Sequence, residues 1–257
     1  MQTPQKIAVA GATGRVGRHV VDVLKESGHH VVTMSRSSGV DVVTGQGLAE
    51  ALEGVEVIVD TATGPSPEEQ AATEFFTTAA HNLQAAGARA GVKRLVVVSI
   101  IGTDRFGGGY GAAKVAHEEA TKAGPIPAQI VRAAQFHEFV EQLVQWSTVD
   151  GVTHLPRMRT QLVAARTVGE ELAALATSPG GPAMSEIAGP REESLPEVAK
   201  LLIAKRGMQL RVEAGGDPND PLTAVYESGA LLPGPDAKLA GPTFEEWLES
   251  TVEEPAA

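Results

Sequence analysis

The segment Gly11-Ala12-Thr13-Gly14-Arg15-Val16-Gly17 constrains the fold of this chain more than any other. It follows a short apolar run, Ile7 to Ala10. After it, Val16, Val20, Val23 and Leu24 recur at helical spacing until Gly28 closes the pattern. A strand that turns through glycines straight into a helix leaves the helix's first N–H groups and its positive dipole end facing whatever lies above the turn. Residues without a Cβ let a pyrophosphate approach that end, and Gly17 lets the helix pack closely on the strand. The spacing G-x-x-G-x-x-G is one residue longer than the commonest dinucleotide fingerprint. The segment reads as a dinucleotide-binding turn, with Gly11, Ala12, Thr13, Gly14, Arg15 and Val16 lining it.

The alternation of strand and helix continues. His30 to Met34 reads as a second strand, Asp41-Val42-Val43 as a short third, Leu48 to Leu52 as a brief helix and Val55 to Val59 as a fourth strand. A long helical run from Pro67 to Ala90, a strand at Leu95 to Val98, a helix from Tyr110 to Ala123 and a strand at Gln129 to Val131 follow. Short apolar strands separated by helices predict βαβ units, hence an α/β, Rossmann-type doubly wound parallel sheet. After about Ala134 the pattern loosens. Helices are expected over His137 to Trp146 and Thr167 to Ala176, and a strand over Met184 to Ile187. A capping box at Ser194 starts a helix to about Lys205, Gln209 to Val212 alternates like a strand, and a second box at Thr243 opens a last short helix. Gly215 to Pro221 and Leu232 to Pro242 read as loops, and Glu253 to Ala257 as a frayed tail. The expected organisation is a dinucleotide-binding core, residues 1–133. Residues 134–257 then hold the remaining sheet elements and a small C-terminal substrate lobe of the same structural unit.

Arg36 stands nineteen residues past Gly17, just after the second strand, in Ser35-Arg36-Ser37-Ser38. An acid there would bind the ribose hydroxyls of NAD; an Arg with hydroxyl neighbours, Ser37 among them, suits the 2′-phosphate of NADP. NADP(H) is therefore the preferred cofactor, with NAD(H) possible, and Arg15 adds positive charge nearby. Tyr110 and Lys114 are four apart at the start of a helix and share a face. An ammonium near a phenol brings its pKa down from about 10 and lets it exchange a proton with a carbonyl oxygen. Ser99, at the end of the fifth strand, is placed to orient a substrate oxygen or the cofactor. Gly107-Gly108-Gly109, just before Tyr110, predicts a mobile loop. Asp60 ends the fourth strand, where it either lines the cleft or caps the next loop. His117 and His137 show no pattern for a metal or a triad.

Composition excludes other classes. The chain has no cysteine, which removes disulfides, iron–sulfur clusters, Cys-ligated zinc and a thiol nucleophile. No metal site is expected. A net charge of −11, with most of the excess from Arg191 onward, argues against nucleic acid. No signal peptide is seen at the N-terminus, and no apolar stretch reaches the roughly 20 residues of a membrane span. A cytoplasmic protein without membrane partners is expected.

Ala8 to Gly17, Val98 to Thr103, Tyr110 with Lys114, and Ile130 to Phe139 together resemble the atypical short-chain dehydrogenase/reductase family, in its NmrA-like branch. The similarity extends over nearly the whole chain and takes in Ile187 to Pro190 and Phe244 to Leu248. It implies a Rossmann core with the cofactor across the C-terminal strand ends. Thr61, Ala62 and Thr63 would pass its adenosine side, Ser99 to Ile101, Ile100 included, would flank the nicotinamide, and Ala134, Gln135 and Phe136 would meet the nicotinamide end. An Asp that family members often carry after the third strand is replaced by Gln46-Gly47. The family also includes non-catalytic NADP sensors, which tend to lack the Tyr–Lys pair kept here.

The resulting expectation is an NADP(H)-dependent oxidoreductase transferring hydride to a carbonyl, quinone or conjugated double bond of a small, hydrophobic molecule. Tyr110 is the proton donor, Lys114 its tuner and ribose anchor, and Ser99 an orienting group. The alternatives are a non-catalytic NADP-binding regulator and, third, an epimerase or dehydratase holding NAD tightly. Phe136, Phe139, Val140, Leu143 and Trp146 supply the apolar lining. The partner is a small-molecule substrate, and the chain a monomer or homodimer.

Overall fold

In a computed structural model, which describes residues 3–105, 107–178, 180–215 and 221–252, the first apolar run forms strand β1 (Lys6–Ala10). Helix α1 (Gly17–Glu26) follows and buries Val20, Val21 and Leu24. Then come β2 (His30–Met34), α2 (Leu48–Ala51), β3 (Val57–Asp60), α3 (Glu69–Ala90), β4 (Arg94–Ile100), α4 (Gly109–Lys122) and β5 (Ala128–Ala133). β1 pairs in parallel with β2 on one side and β3 on the other, and β3 pairs in parallel with β4. Every residue of β3 is buried, as a strand covered on both faces requires. Alternation sorts the side chains. Ala8, Ala10, Ile58, Leu95 and Val97 share one core with Leu83 and Ala86 of α3, and Ile7 and Val9 are buried outside that cluster.

The chain continues with α5 (His137–Trp146), β6 (Thr148–Val149), β7 (Val152–Leu155), β8 (Arg159–Thr160), α6 (Ala165–Thr177) and β9 (Met184–Ala188). After these come β10 (Glu193–Ser194), α7 (Leu195–Lys205), β11 (Arg211–Ala214), α8 (Pro221–Glu227), β12 (Lys238–Leu239) and α9 (Phe244–Val252). The main sheet has seven strands in the order β12-β9-β5-β4-β3-β1-β2. The direction of strand addition reverses at β1, so the crevice of this doubly wound sheet opens beyond the C-terminal ends of β1 and β3. The chain divides into two units, residues 1–132 with 168–185, and residues 133–167 with 186–257. In the second, β7 pairs in parallel with β11 and antiparallel with β6. Of the expected apolar lining there, Val140 is core and Trp146 is 65% exposed. Among the described residues, no helix is long and apolar enough to cross a membrane.

The structure corrects two local expectations. Asp41-Val42-Val43 is a turn, not a strand. The Asp41 carboxylate accepts the N–H groups of Val43 (2.7 Å) and Thr44 (3.2 Å), and Asn82 of α3 donates to the Val42 and Val43 carbonyls (2.9 and 2.7 Å). The groups a strand would offer a neighbour are thus satisfied locally. At α7 the helix begins and ends where expected, but Ser194 pairs in β10 with β8 and its side chain makes no capping bond. The box at Thr243 does form: Thr243 N–H donates to Glu246 (2.8 Å), and Glu246 N–H to Thr243 Oγ1 (3.2 Å). β12 lies within the expected loop Leu232 to Pro242. The expected tail 253–257, and residues 216–220 of the other expected loop, lie outside the described residues.

Candidate functional site

The glycine turn closes onto the residue that follows β3. Gly11 has a positive φ of 71°, and a Cβ on it would lie 2.7 Å from the Thr61 carbonyl oxygen. A Cβ on Gly17 would overlap the Gly11 carbonyl oxygen and come within 2.7 Å of Thr61 Oγ1. Thr61 is fixed there because its hydroxyl donates to the Ala10 carbonyl (2.7 Å). The N–H groups of Gly11 and Ala12 share the Met34 carbonyl (3.0 and 3.4 Å), which ties the turn to the end of β2. Thr13 is exposed, and Gly14 and Arg15 are half-buried in the turn. Helix α1 starts behind buried Val16 with no side chain capping it and no acid in its first turn. Its N-terminus is thus left to an outside anion, and this donor set fits the diphosphate of a dinucleotide.

Arg36 opens a single 3-10 turn, Arg36–Ser38, held by a Ser35–Ser38 capping box. Its guanidinium is exposed and pairs with no acid among the described residues. The Ser37 hydroxyl shares a hydrogen bond with Ser35 (2.9 Å).

The Phe76 ring of α3, 1% exposed, gathers the remaining groups. Tyr110 meets it edge-on (centroids 5.7 Å), His117 stacks on it (4.8 Å), and Lys114 Nζ lies 4.3 Å from its centroid. The helical spacing puts Tyr110 and Lys114 on one side of α4, yet their polar ends diverge. The Tyr110 hydroxyl shares a hydrogen bond with exposed Thr63 (3.2 Å). Burial raises its pKa above the ordinary value, and the Thr63 bond offsets this only in part. Lys114 is buried and donates to the Val98 carbonyl and to His117 Nδ1, both at 2.9 Å. Burial lowers its pKa to about 8, against the opposing charges of Asp60 and Glu118. His117 Nε2 faces Asp60 Oδ2 at 3.2 Å. Burial and the Lys114 charge lower the His117 pKa, so the ring is neutral at physiological pH.

Of the three glycines before Tyr110, Gly109 donates its N–H to the Glu69 carboxylate (2.6 Å). Ser99, at the end of β4, is buried beside Glu118. Thr61 and Ala62 line the end of β3, with Ala62 N–H bound by Asp60 Oδ1 (2.9 Å), and Ile100 ends β4 half-buried. In the second unit Ala134 is buried, Gln135 accepts the Thr160 hydroxyl (2.6 Å), and Phe136 precedes α5. Sequence reasoning missed His117 and Phe76 and left Asp60 undecided. One signal was available: Lys114, His117, Glu118 and Thr121 put polar groups at helical spacing where α4 turns its buried face to the sheet.

A doubly wound parallel sheet with a glycine turn and an open helix N-terminus at its switch point defines a dinucleotide-binding protein. Residues 11–153, more than half of the chain, match the model of the NAD(P)H-binding family, and the chain belongs to that family. Its fold is that of solved NAD(P)-dependent enzymes, a short-chain dehydrogenase/reductase superfamily protein of Agrobacterium tumefaciens with bound NAD among them, at 17% identity and a TM-score of 0.67 over 96% of this chain and 95% of that one. Over 147 residues the chain is 34% identical to 4-hydroxy-tetrahydrodipicolinate reductase of Roseobacter denitrificans, covering 56% of this chain and 50% of that protein. The chain thus spans about half the length of the curated relative it matches. Among solved structures, dTDP-4-dehydrorhamnose reductase of Bacillus anthracis in complex with NADP superposes with a TM-score of 0.76 at 17% identity, over 98% of this chain and 100% of that one. An NAD-dependent NDP-hexosamine 5,6-dehydratase of tunicamycin biosynthesis gives 0.70 at 18% identity, over 97% of both chains.

Proposed function

We propose that the chain is an NADP(H)-dependent reductase of a small, hydrophobic organic molecule whose hydride acceptor is a carbonyl, quinone or conjugated double bond. The observation that carries this reading is the Tyr110–Thr63 hydroxyl pair, which stands just past β3, on the side of the sheet where the glycine turn lies. The bound nicotinamide supplies the hydride. Tyr110 is protonated at neutral pH, so its hydroxyl donates to the substrate oxygen and gives up its proton as the C–H bond forms and the π electrons pass to that oxygen. Exposed Thr63 orients the phenol and relays a proton back from water. Lys114, charged at neutral pH, anchors the ribose; its ammonium turns to Val98 and His117, and the expected lowering of the Tyr110 pKa by it gives way to a rise from burial. Ser99, at the end of β4, is the group that orients the substrate oxygen or the cofactor.

NADPH consumption against a panel of quinones and ketones tests the reading. Turnover of at least one is expected, falling at least about tenfold in Tyr110→Phe with NADPH affinity unchanged. A second reading, a non-catalytic NADP-binding regulator, draws on one observation: the Tyr110 hydroxyl and the Lys114 ammonium bond to different partners. Tight NADP binding without turnover on any substrate is its signature. The preference for NADP rests on Arg36. Arg36→Ala is expected to weaken NADPH about tenfold, as for loss of one exposed charge-assisted contact, and to leave NADH unchanged. Equal NADPH dissociation constants for the wild type and Arg36→Ala overturn that preference.

A further inference from the structure

We propose that Asp60 and His117 are positioning residues for Lys114: an imidazole oriented by the Asp60 carboxylate accepts a hydrogen bond from the Lys114 ammonium and holds it, charged, against the Val98 carbonyl. The inference rests on the oxidoreductase reading for its purpose, but not for its geometry. The three side chains are almost wholly excluded from solvent, at 2% (Asp60), 1% (His117) and 5% (Lys114) exposure. They come from the end of β3 and from one face of α4, and their polar atoms form an unbroken line of 3.2 and 2.9 Å contacts.

The direction of each bond follows from what each group can do. An ammonium has donors only, so His117 Nδ1 must accept. The proton of the neutral ring then sits on Nε2, where it donates to Asp60 Oδ2. Asp60 in turn is aimed by its other oxygen, which accepts Ala62 N–H (2.9 Å). Phe76 seals the arrangement by stacking on His117 and lying under the ammonium. Doubly protonated His117 would place two cations 2.9 Å apart without water between them, which disfavours that form strongly. The remaining charged neighbour of Lys114 is Glu118, on its own helix, and that carboxylate is already engaged by Arg132 of β5. Tyr110, one turn back, bonds Thr63. Asp60 is thus the acid committed to Lys114, acting through the imidazole.

The test reads Lys114 itself, in the cofactor-free protein, by NMR titration of 15N-labelled lysine side chains with Lys114→Met as the assignment control. The wild-type midpoint is expected near about 8. Asp60→Asn keeps the acceptor for Ala62 but removes the charge, and is expected to lower the midpoint by at least about one unit. His117→Gln retains both an acceptor for Nζ and a donor for Asp60, and is expected to hold the midpoint near the wild-type value. An unmoved midpoint in folded Asp60→Asn overturns the proposal, as does a midpoint in His117→Gln that falls with it. Should Asp60→Asn not fold, imidazole 15N shifts of the wild type decide: a neutral ring protonated on Nε2 is expected between about pH 6 and 8, and protonation on Nδ1 overturns the proposal. A shifted midpoint in an enzyme without turnover on any substrate leaves this proposal standing and removes the reductase reading.

Discussion

Gly17→Ala is expected to weaken NADPH by more than about a hundredfold and to lower thermal stability as well. The added methyl has nowhere to go. It would meet the Gly11 carbonyl oxygen on one side and Thr61 Oγ1 at 2.7 Å on the other. Neither neighbour can give way cheaply. Gly11 is held by its N–H to the Met34 carbonyl (3.0 Å) and by its carbonyl, which accepts Gly14 N–H (2.8 Å). Thr61 is held by its bond to the Ala10 carbonyl (2.7 Å). The helix must therefore lift from the turn, or the turn must unwind. Overpacking of this kind costs about 1–3 kcal/mol, which for a chain of this size lowers Tm by roughly 2–12 °C. Binding suffers more than stability, because the first N–H groups of α1 are the groups that would meet the diphosphate, and they move with the helix. Fluorescence titration with NADPH and a thermal melt on the same sample check both effects. A Gly17→Ala protein with wild-type affinity and Tm would show that the turn is not the cofactor cradle. Gly28→Ala is a useful contrast: a Cβ there has open space, so only the φ of 82° is strained, and affinity is expected to stay unchanged while Tm falls slightly.

The same residues show why the turn was legible and its surroundings less so. Gly11 to Gly17 and the helix behind it are a local pattern, readable within one strand–turn–helix unit. Long strands and helices announce themselves by period, so β1, α1, β4 and α5 were visible in outline. Two-residue strands such as β6, β8, β10 and β12 carry no period at all and exist only through their partners. Val42 and Val43 looked like a strand by composition, but Asn82, about forty residues on, takes up their carbonyls. The i,i+4 rule placed Tyr110 and Lys114 on one face but could not tell that one side chain would reach up to Thr63 and the other down to Val98. His117 offered no pattern because its acid, Asp60, is 57 residues away in sequence. The deeper the group, the more its chemistry depends on such distant partners, which is why the buried part of the site was the part least visible.

Glu118→Gln is expected to destabilise the protein by about 3–5 kcal/mol. The Glu118 side chain is 2% exposed and takes a two-pronged bond from Arg132, Nε to Oε1 at 2.9 Å and Nη2 to Oε2 at 2.8 Å. The amide keeps the shape and removes the charge, leaving a guanidinium that is 12% exposed with the mostly solvated Asp104 (3.2 Å) as its remaining partner. The cost comes from that stranded cation and not from the value of the pair, so the double variant Glu118→Met with Arg132→Met is expected to recover most of the loss. The pH dependence has a defined sign. Burial works to raise the Glu118 pKa, but the bonds and charge of Arg132, with the Ser99 hydroxyl and Lys122 nearby, hold it below its ordinary value. Its contribution is therefore complete above the unfolded pKa of about 4.3 and is lost as pH falls through the lower folded value. Wild-type stability should decline in that acid window, and Glu118→Gln, already lower at neutral pH, should show a flatter curve there. Glu118 also helps keep Lys114 charged, so its loss reaches the site and is expected to lower the Lys114 titration midpoint too. Denaturant melts of the single and double variants across acid and neutral pH settle the matter: a Glu118→Gln protein within about 1 kcal/mol of wild type, or a double variant no better than the single, contradicts the stranded-cation account.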